Sequence, residues 1–135
     1  MKFVSDSTEC TLKIAKSFSQ SLEGGDIVSL VGDVGVGKTV FAKGVAIGLG
    51  VENTVVSPSF VLCCHYKGTN FNLVHIDAYR LQGQNLINLG FEEILQEQSN
   101  ICLIEWAEYL DVKPKFTVKI TQCEEYKRMI ELINN

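Results

Sequence analysis

Apolar residues recur along the first half of the chain in two patterns, one typical of helices and one typical of buried strands. Thr8–Leu22 carries apolar residues at helical spacing, and Gly24-Gly25-Asp26 ends that pattern. Ile27–Val31 is short and continuously apolar, which indicates a strand buried on both faces. Lys38–Leu49 is rich in Ala and large apolar residues and ends in Gly-Leu-Gly, so it is predicted to be a helix.

The middle of the chain predicts a hairpin, a helix and another buried strand. Phe60–Tyr66 and Phe71–Ile76 are strand-like runs on either side of Lys67-Gly68-Thr69-Asn70, which is typical of a turn. Leu86–Gln96 has the pattern of a helix. Ile101–Ile104 is again compact and apolar, which indicates a strand inside the sheet.

The C-terminal residues predict a second hairpin. Phe116–Ile120 alternates between apolar and polar residues, as a half-buried strand does. Tyr126–Ile133 fits either a strand or a short helix by pattern alone. We favour a strand, because Glu124-Glu125 can turn the chain back on itself.

Composition narrows the class of protein. With 135 residues, 46% hydrophobic and 21% charged, the chain has room for one core, and we expect a single domain over residues 1–135. No apolar run reaches membrane-spanning length and the N-terminus lacks a signal-peptide pattern, so a cytoplasmic protein without membrane contact is expected. A net charge of −4 gives no general attraction to nucleic acid, so another protein would hold any nucleic acid involved.

The five cysteines do not suggest a metal site or a disulfide framework. Their number is odd, and none of them forms a Cys-x-x-Cys pair. We therefore expect reduced thiols packed in the core, where free cysteine behaves as a small hydrophobic residue.

The segment Gly32–Thr39 carries the clearest chemistry. It fits Gly-x-x-x-x-Gly-Lys-[Ser/Thr] between a predicted strand and a predicted helix, which is the context that a phosphate-binding P-loop requires. Glycines let backbone amides approach a phosphate, and the helix N-terminus favours an anion. Lys38 would reach the β- and γ-phosphates, and the Thr39 hydroxyl would bind Mg²⁺. The segment predicts an α/β P-loop NTPase-like fold of three layers, with a mostly parallel central sheet plus antiparallel hairpins.

Two acidic residues follow predicted strands. Asp77 comes directly after Phe71–Ile76, and Glu105 comes directly after Ile101–Ile104. In an open parallel sheet the ligand lies outside the carboxyl ends of the strands, so both carboxylates are expected beside the P-loop. Taken alone, each is as well explained as a solvated carboxylate at a strand end.

Four segments together resemble one family. They are Gly32–Thr39, Ser57-Pro58-Ser59-Phe60, His75-Ile-Asp-Ala-Tyr-Arg-Leu81 and Ile104-Glu105-Trp106, and in this order and spacing they resemble the TsaE (YjeE-type) family. The resemblance implies the ATPase component of the bacterial machinery that attaches threonylcarbamoyl to an adenosine in tRNA. It implies ATP or ADP and Mg²⁺ as ligands, and TsaD and TsaB as partners that bring in the tRNA. ATP binding would let the protein join that pair, and a slow, partner-dependent hydrolysis would serve turnover.

The resemblance also assigns roles to residues. Lys38, Asp77 and Glu105 would be catalytic, and Thr39, Asp77 and Glu105 would hold the metal. Ser59 stands where the family usually has Thr, so its hydroxyl is kept and the methyl group is lost. The residues expected to bind the nucleotide are Thr11, Asp33, Gly35, Val36, Gly37, Lys38, Thr39, Val40, Ser59 and Arg128.

Two interpretations are possible for some residues near these motifs, and one is favoured for the histidines. Trp106 would lie close behind Glu105, or it is an ordinary aromatic at a sheet edge. Tyr79 and Arg80 fit either a surface loop or a contact with a partner protein. We expect His65 and His75 to be hydrogen-bonded structural residues and not metal ligands.

Two other functions remain open. In a non-catalytic docking module, ATP would only order the loop at Ser57–Phe60 for a partner. A small nucleotide kinase is the weaker alternative, because it needs arginines over an acceptor pocket and only Arg80 and Arg128 are available. A GTPase is disfavoured, because the chain has no Asn-Lys-x-Asp segment to read guanine.

Overall fold

The computed structural model describes residues 1–33, 35–53, 55, 63–79 and 90–135. Within these residues the helices are α1 (Thr8–Ser19), α2 (Lys38–Gly48) and α3 (Phe91–Gln96), with a 3-10 helix at Ala107–Tyr109. The strands are β1 (Lys2–Ser5), β2 (Ile27–Val31), β3 (Cys63–Tyr66), β4 (Asn72–Asp77), β5 (Asn100–Glu105), β6 (Phe116–Glu124) and β7 (Lys127–Asn134).

The strands of the described residues form one sheet in the order β1-β7-β6-β2-β5-β4-β3. The four central strands, β6, β2, β5 and β4, are parallel to one another. The outer strands pair antiparallel, through the hairpins β3–β4 and β6–β7 and through β1 beside β7. The expected parallel centre with antiparallel hairpins is therefore confirmed, including the strand that we favoured at the C-terminus.

Apolar residues cover both faces of this sheet. On one face, Val28 and Leu30 of β2 pack with Phe18 of α1 and with Phe41 of α2. The opposite face carries a second, smaller core of strands β4 and β5 and of α3. Its buried residues are Val74, Ile76, Ala78, Phe91, Cys102, Ile104, Ala107 and Leu110. Helices on both faces of one sheet give the expected three layers.

Helix α1 begins where the sequence supplies a cap. The Ser7 side chain accepts a hydrogen bond from the Cys10 backbone N–H at 3.1 Å, which satisfies one of the open amides of the first turn. The apolar face of α1 packs closely against α2. A Cβ added at Gly44 would lie 2.5 Å from the Ala15 Cβ and 2.8 Å from the Leu12 carbonyl oxygen, so this contact requires glycine.

Several boundaries differ from the sequence prediction, and two of them concern the segments around the candidate site. The helix expected from Leu86 begins at Phe91 within the described residues, because Gly90 adopts φ 77° at the N-cap and cannot be part of a right-handed helix. Residues 86–89, and residues 60–62 of the expected strand Phe60–Tyr66, lie outside the described residues. Strand β4 includes Asp77, which the pattern had placed just after it.

The cysteines are free thiols, but the expectation that all of them lie in the core was wrong. Cys102 is buried, and burial raises the pKa of its thiol to about 12. Cys10, Cys63 and Cys64 are half-buried, and Cys123 is exposed. The reason is positional, since Cys123 lies in the outer part of the β6–β7 hairpin, where residues 121–127 are all exposed.

We expect Gly44→Ala to destabilise the protein by about 1–3 kcal/mol, because the added methyl group has no room between α2 and α1. The direction is informative, because alanine is intrinsically the better helix former by about 1 kcal/mol. Ile47→Ala in the same helix is the control, since Ile47 is 52% exposed and its change should stay within about 0.5 kcal/mol. Urea unfolding measures both, and a Gly44→Ala variant as stable as the parent would contradict the packing argument.

Candidate functional site

A glycine-containing loop joins β2 to α2. Gly35 and Gly37 have φ of 81° and 111°, a backbone conformation that strains any residue with a side chain. A Cβ at either position would meet no atom of the described residues within 4 Å. This part of the loop therefore faces open space, and Gly35 and Gly37 are required by the backbone turn and not by crowding.

The N-terminus of α2 opens onto the same space. Within the described residues, no side chain caps this helix. The backbone N–H groups of Lys38, Thr39 and Val40 belong to the first turn and have no acceptor inside the helix. These amides and the positive end of the helix dipole suit a phosphate group. The geometry fits a bound polyphosphate.

The Lys38 side chain contacts a carboxylate from a neighbouring strand. Its Nζ lies 3.1 Å from Oε1 of Glu105, the last residue of β5. The other carboxylate oxygen, Oε2, lies 3.1 Å from Nε2 of His75 on β4. Both side chains of the ion pair are nearly buried, with 12% and 11% exposed, and the His75 side chain is fully buried. Glu105 therefore lies between the P-loop lysine and a histidine inside the sheet.

The ionisation of Glu105 reflects these neighbours. Burial by itself would raise its pKa, but hydrogen bonds and charge from His75 and Lys38 outweigh that effect. The pKa of Glu105 consequently lies below its ordinary value, and the carboxylate form is favoured at neutral pH.

Asp77 lies beside Glu105 at the same edge of the sheet. The register of β4 and β5 pairs these two residues directly, and Glu105 pairs on its other side with Leu30 of β2. The Asp77 carboxylate accepts a hydrogen bond from the Tyr79 backbone N–H at 3.0 Å. Both predicted strand-end acids thus reach the edge from which the P-loop starts, and carboxylate oxygens are donors that Mg²⁺ prefers.

A cleft of about 530 Å³ lies in front of the loop. Its walls are the loop, the end of β6 and the segment after β5. Among the described residues the lining includes Gly32, Asp33, Gly35, Val36, Lys38, Trp106, Glu108, Lys119, Thr121 and Gln122. Four of the predicted nucleotide-binding residues therefore line one cavity.

Three exposed or half-exposed aromatic residues form a cluster at the side of this cleft. The Trp106 ring stacks on Tyr109 with centroids 5.8 Å apart and lies 5.2 Å from the Tyr79 ring. Trp106 is 41% exposed and has φ 61°, the one positive φ outside glycine in the described part of the chain. Trp106 lines the cleft, so the interpretation that it is a residue of the site next to Glu105 describes it better than the interpretation that it is an ordinary aromatic at a sheet edge.

Of the predicted nucleotide-binding residues, Arg128 contacts the P-loop, whereas Thr11 contacts Ser5. Arg128 on β7 donates a hydrogen bond from Nε to the Val36 carbonyl oxygen at 3.1 Å, so it contacts the P-loop from a strand that lies two positions from β2 in the sheet. Thr11 is buried on helix α1, where its hydroxyl lies 2.6 Å from the hydroxyl of Ser5 on β1. Ser5 pairs with Arg128 in the β1–β7 register, which links the two residues. Thr11 does not line the cleft in front of the P-loop.

Comparison with known proteins identifies the family. A family model described as "Threonylcarbamoyl adenosine biosynthesis protein TsaE" matches residues 5–130. The chain belongs to the TsaE family. The TsaE resemblance of the four motifs is therefore confirmed.

Individual TsaE relatives and a solved structure agree with this assignment. The tRNA threonylcarbamoyladenosine biosynthesis protein TsaE of Rickettsia felis is 42% identical over 132 residues, which cover 94% of this chain and 76% of that protein. The Bacillus subtilis protein of the same name is 37% identical over 111 residues, covering 82% and 69%. The crystal structure of Bacillus subtilis YdiB superposes with a TM-score of 0.82 at 30% identity, covering 99% of this chain and 84% of that one.

Part of the expected site falls outside the residues that the structure describes. Ser59, Arg80 and Val34 lie outside the described residues, so the expected roles of Ser59 and Arg80 stay predictions. The described residues contain no group of three or more His, Cys, Asp or Glu arranged to hold a metal. None of the described helices has the length and apolar character needed to cross a membrane.

Sequence reasoning on this TsaE chain did not identify the hydrogen-bond partner of His75. We had expected a hydrogen-bonded structural histidine, and the hydrogen bond is present, but its partner is the candidate catalytic carboxylate. One signal was available, because His75 interrupts the apolar run of a buried strand two residues before Asp77.

Because the pKa of Glu105 is lowered in the fold, its ionised form contributes stability that is present above the ordinary glutamate pKa of about 4.3 and is lost as pH falls through the folded pKa. We expect the stability difference between the parent and Glu105→Gln to be constant near pH 7 and to shrink below about pH 4. Urea unfolding at both pH values measures it. Glu108→Gln, at an exposed residue of the same segment, should change stability little. A Glu105→Gln difference of equal size at both pH values would refute the assignment.

Proposed function

We propose that the protein is a cytosolic, weakly active ATPase that binds ATP with Mg²⁺ and supports the threonylcarbamoyl modification of tRNA adenosine. The observation that carries this proposal is the arrangement of the P-loop edge. An uncapped helix N-terminus, the Lys38 ammonium and the Glu105 carboxylate meet at the carboxyl ends of adjacent parallel strands. Membership of the TsaE family supports the link to tRNA modification.

In this proposal the loop binds the polyphosphate through backbone amides, and Lys38 neutralises part of its charge. Lys38 is paired with Glu105 in the structure, so it must exchange a carboxylate for phosphate oxygens when ATP binds. The exchange leaves the Glu105 carboxylate free at the edge of the site. There it can orient a water molecule toward the terminal phosphate or ligate the metal.

The residues fit a magnesium site made of oxygen donors. Thr39, in the first turn of α2, and the acids Asp77 and Glu105 at adjacent strand ends would hold the ion. When bound, Mg²⁺ would neutralise negative charge that develops on the phosphates during hydrolysis. The role of this chain is to present those oxygens and to keep the attacking water in place.

Cooperation with TsaD and TsaB is the second part of the proposal. The aromatic cluster of Tyr79, Trp106 and Tyr109 is exposed or half-exposed beside the cleft, and aromatic residues of this kind are enriched where proteins bind one another. Because this cluster borders the nucleotide cleft, ATP would affect the same surface that a partner contacts. With a net charge of −4, the protein would reach tRNA only through the complex.

A non-catalytic docking module is the second candidate. The aromatic cluster favours it too, since a docking protein needs an exposed surface near the nucleotide and no hydrolysis. The two candidates differ over Glu105→Gln, which should stop ATP turnover by the assembled complex. If tRNA modification continues at the parental rate with that variant, docking alone is the function.

Lys38→Ala is expected to weaken ATP binding by at least about a hundredfold, because a charge-assisted contact to the phosphates is lost at a site with few other cations. Calorimetric titration of MgATP into the purified protein measures the affinity. Lys43→Ala is the matched control, since Lys43 is an exposed lysine of the same helix. Parental affinity in Lys38→Ala, with the fold intact by circular dichroism, would overturn the proposal.

Tyr79→Ser is expected to reduce binding to the TsaD–TsaB pair by about fivefold or more and to leave MgATP affinity near the parental value, because Tyr79 is 52% exposed and does not line the cleft. Immobilised TsaD–TsaB, with and without MgATP, provides the measurement. Tyr126→Ser is the control, since Tyr126 is 78% exposed on the β6–β7 hairpin. Equal losses in both variants would show that the aromatic cluster is not the docking surface.

A further inference from the structure

His75 is a polar side chain in the interior of the sheet. It lies in the middle of β4, is fully buried, and contacts Glu105 through Nε2 at 3.1 Å. In the register it pairs with Leu103, while Glu105 pairs with Asp77, so the contact runs diagonally across β4 and β5. The imidazole is held on a strand paired on both sides, between β5 and β3, and it contacts the carboxylate on β5.

We propose that His75 is a positioning residue, which keeps the Glu105 carboxylate in place when Lys38 leaves it for a phosphate. The inference rests on the proposed ATP site and extends it by one residue. Without His75, Glu105 has Lys38 as its one charged partner among the described residues. Lys38 is the group that the nucleotide must capture.

The hydrogen-bond pattern supports a role beyond stability. An ionised carboxylate only accepts hydrogen bonds, so Nε2 of His75 carries the proton and donates it. The other ring nitrogen, Nδ1, is fully buried and has no hydrogen-bond partner in the described part of the chain. Leaving a polar atom unpaired destabilises a fold, and an apolar residue of similar size avoids that cost. The histidine is therefore better explained by what it does to Glu105.

The contact also sets the competition for Lys38. In the structure the two oxygens of Glu105 are divided, one toward Lys38 and one toward His75. The hydrogen bond from His75 thus weakens the attraction between Glu105 and the lysine. Without the imidazole, the Glu105 carboxylate would interact more strongly with Lys38, and it would then compete more strongly with phosphate for that lysine.

The test compares two substitutions of the same residue. His75→Leu removes the donor and keeps an apolar side chain of comparable size, whereas His75→Gln places an amide N–H near the position of Nε2. We expect His75→Leu to weaken MgATP binding about tenfold and to lower turnover, and His75→Gln to restore most of both. Equal losses in the two variants would mean that only packing matters, and would overturn the proposal.

Combining His75→Leu with Glu105→Gln shows whether His75 affects MgATP binding through Glu105. Glu105→Gln removes the charge that competes for Lys38, so adding His75→Leu to it should change MgATP affinity by less than about twofold. If His75→Leu weakens binding tenfold in that background as well, His75 does not act through Glu105. Calorimetry on the four proteins completes this double-mutant cycle.

A spectroscopic measurement does not depend on ATP. In the nucleotide-free protein, nitrogen-15 NMR of the His75 ring should show a proton on Nε2 that exchanges slowly with water, and Glu105→Gln should shift that proton upfield. Absence of the Nε2 proton would overturn the inference even if ATP binds normally. If the parent protein binds no ATP but the ring signal responds to Glu105→Gln, the ATPase proposal fails and the His75–Glu105 contact stands. The same spectrum decides the case if His75→Leu does not fold.

Discussion

Parallel pairing of β2, β5 and β4 is the constraint on which the site depends. Parallel strands in register end at a common edge, and here that register brings Leu30, Glu105 and Asp77 into one row. The chain turns into the P-loop two residues after Leu30, so the loop and both acids share that edge. Hydrogen bonds of the central sheet therefore fix the positions of groups that are far apart in sequence. A one-residue slip would move every side chain to the opposite face.

The ion pair between Lys38 and Glu105 joins two side chains that are both nearly buried. Removing two charges from water is costly, and their attraction repays that cost only when further hydrogen bonds satisfy the carboxylate. His75 supplies such a bond from inside the sheet. The result is a site whose charges are matched before any ligand arrives. In the proposed ATP site, phosphate binding would exchange one anion for another at the same ammonium group, and such an exchange would limit affinity.

The sequence predicted those parts of the site that are encoded locally. The P-loop pattern, its strand and its helix are contiguous, so Gly35, Gly37 and Lys38 could be assigned from spacing alone. The strand-end acids needed one further rule, that parallel strands share a ligand-binding edge, and both reach it. The His75–Glu105 contact could not be predicted, because it depends on a diagonal across two strands. Thr11 shows the same limit, since its bond to Ser5 depends on where β1 adds to the sheet.

The left-handed backbone at Trp106 links the stability of the fold to the shape of the cleft. At φ 61° a glycine would be less strained than tryptophan, so the position trades some folding free energy for a large indole at the mouth of the site. Selection for thermal robustness alone would favour glycine there and would remove a wall of the cleft. Robustness and an intact binding surface are opposed demands at this one residue.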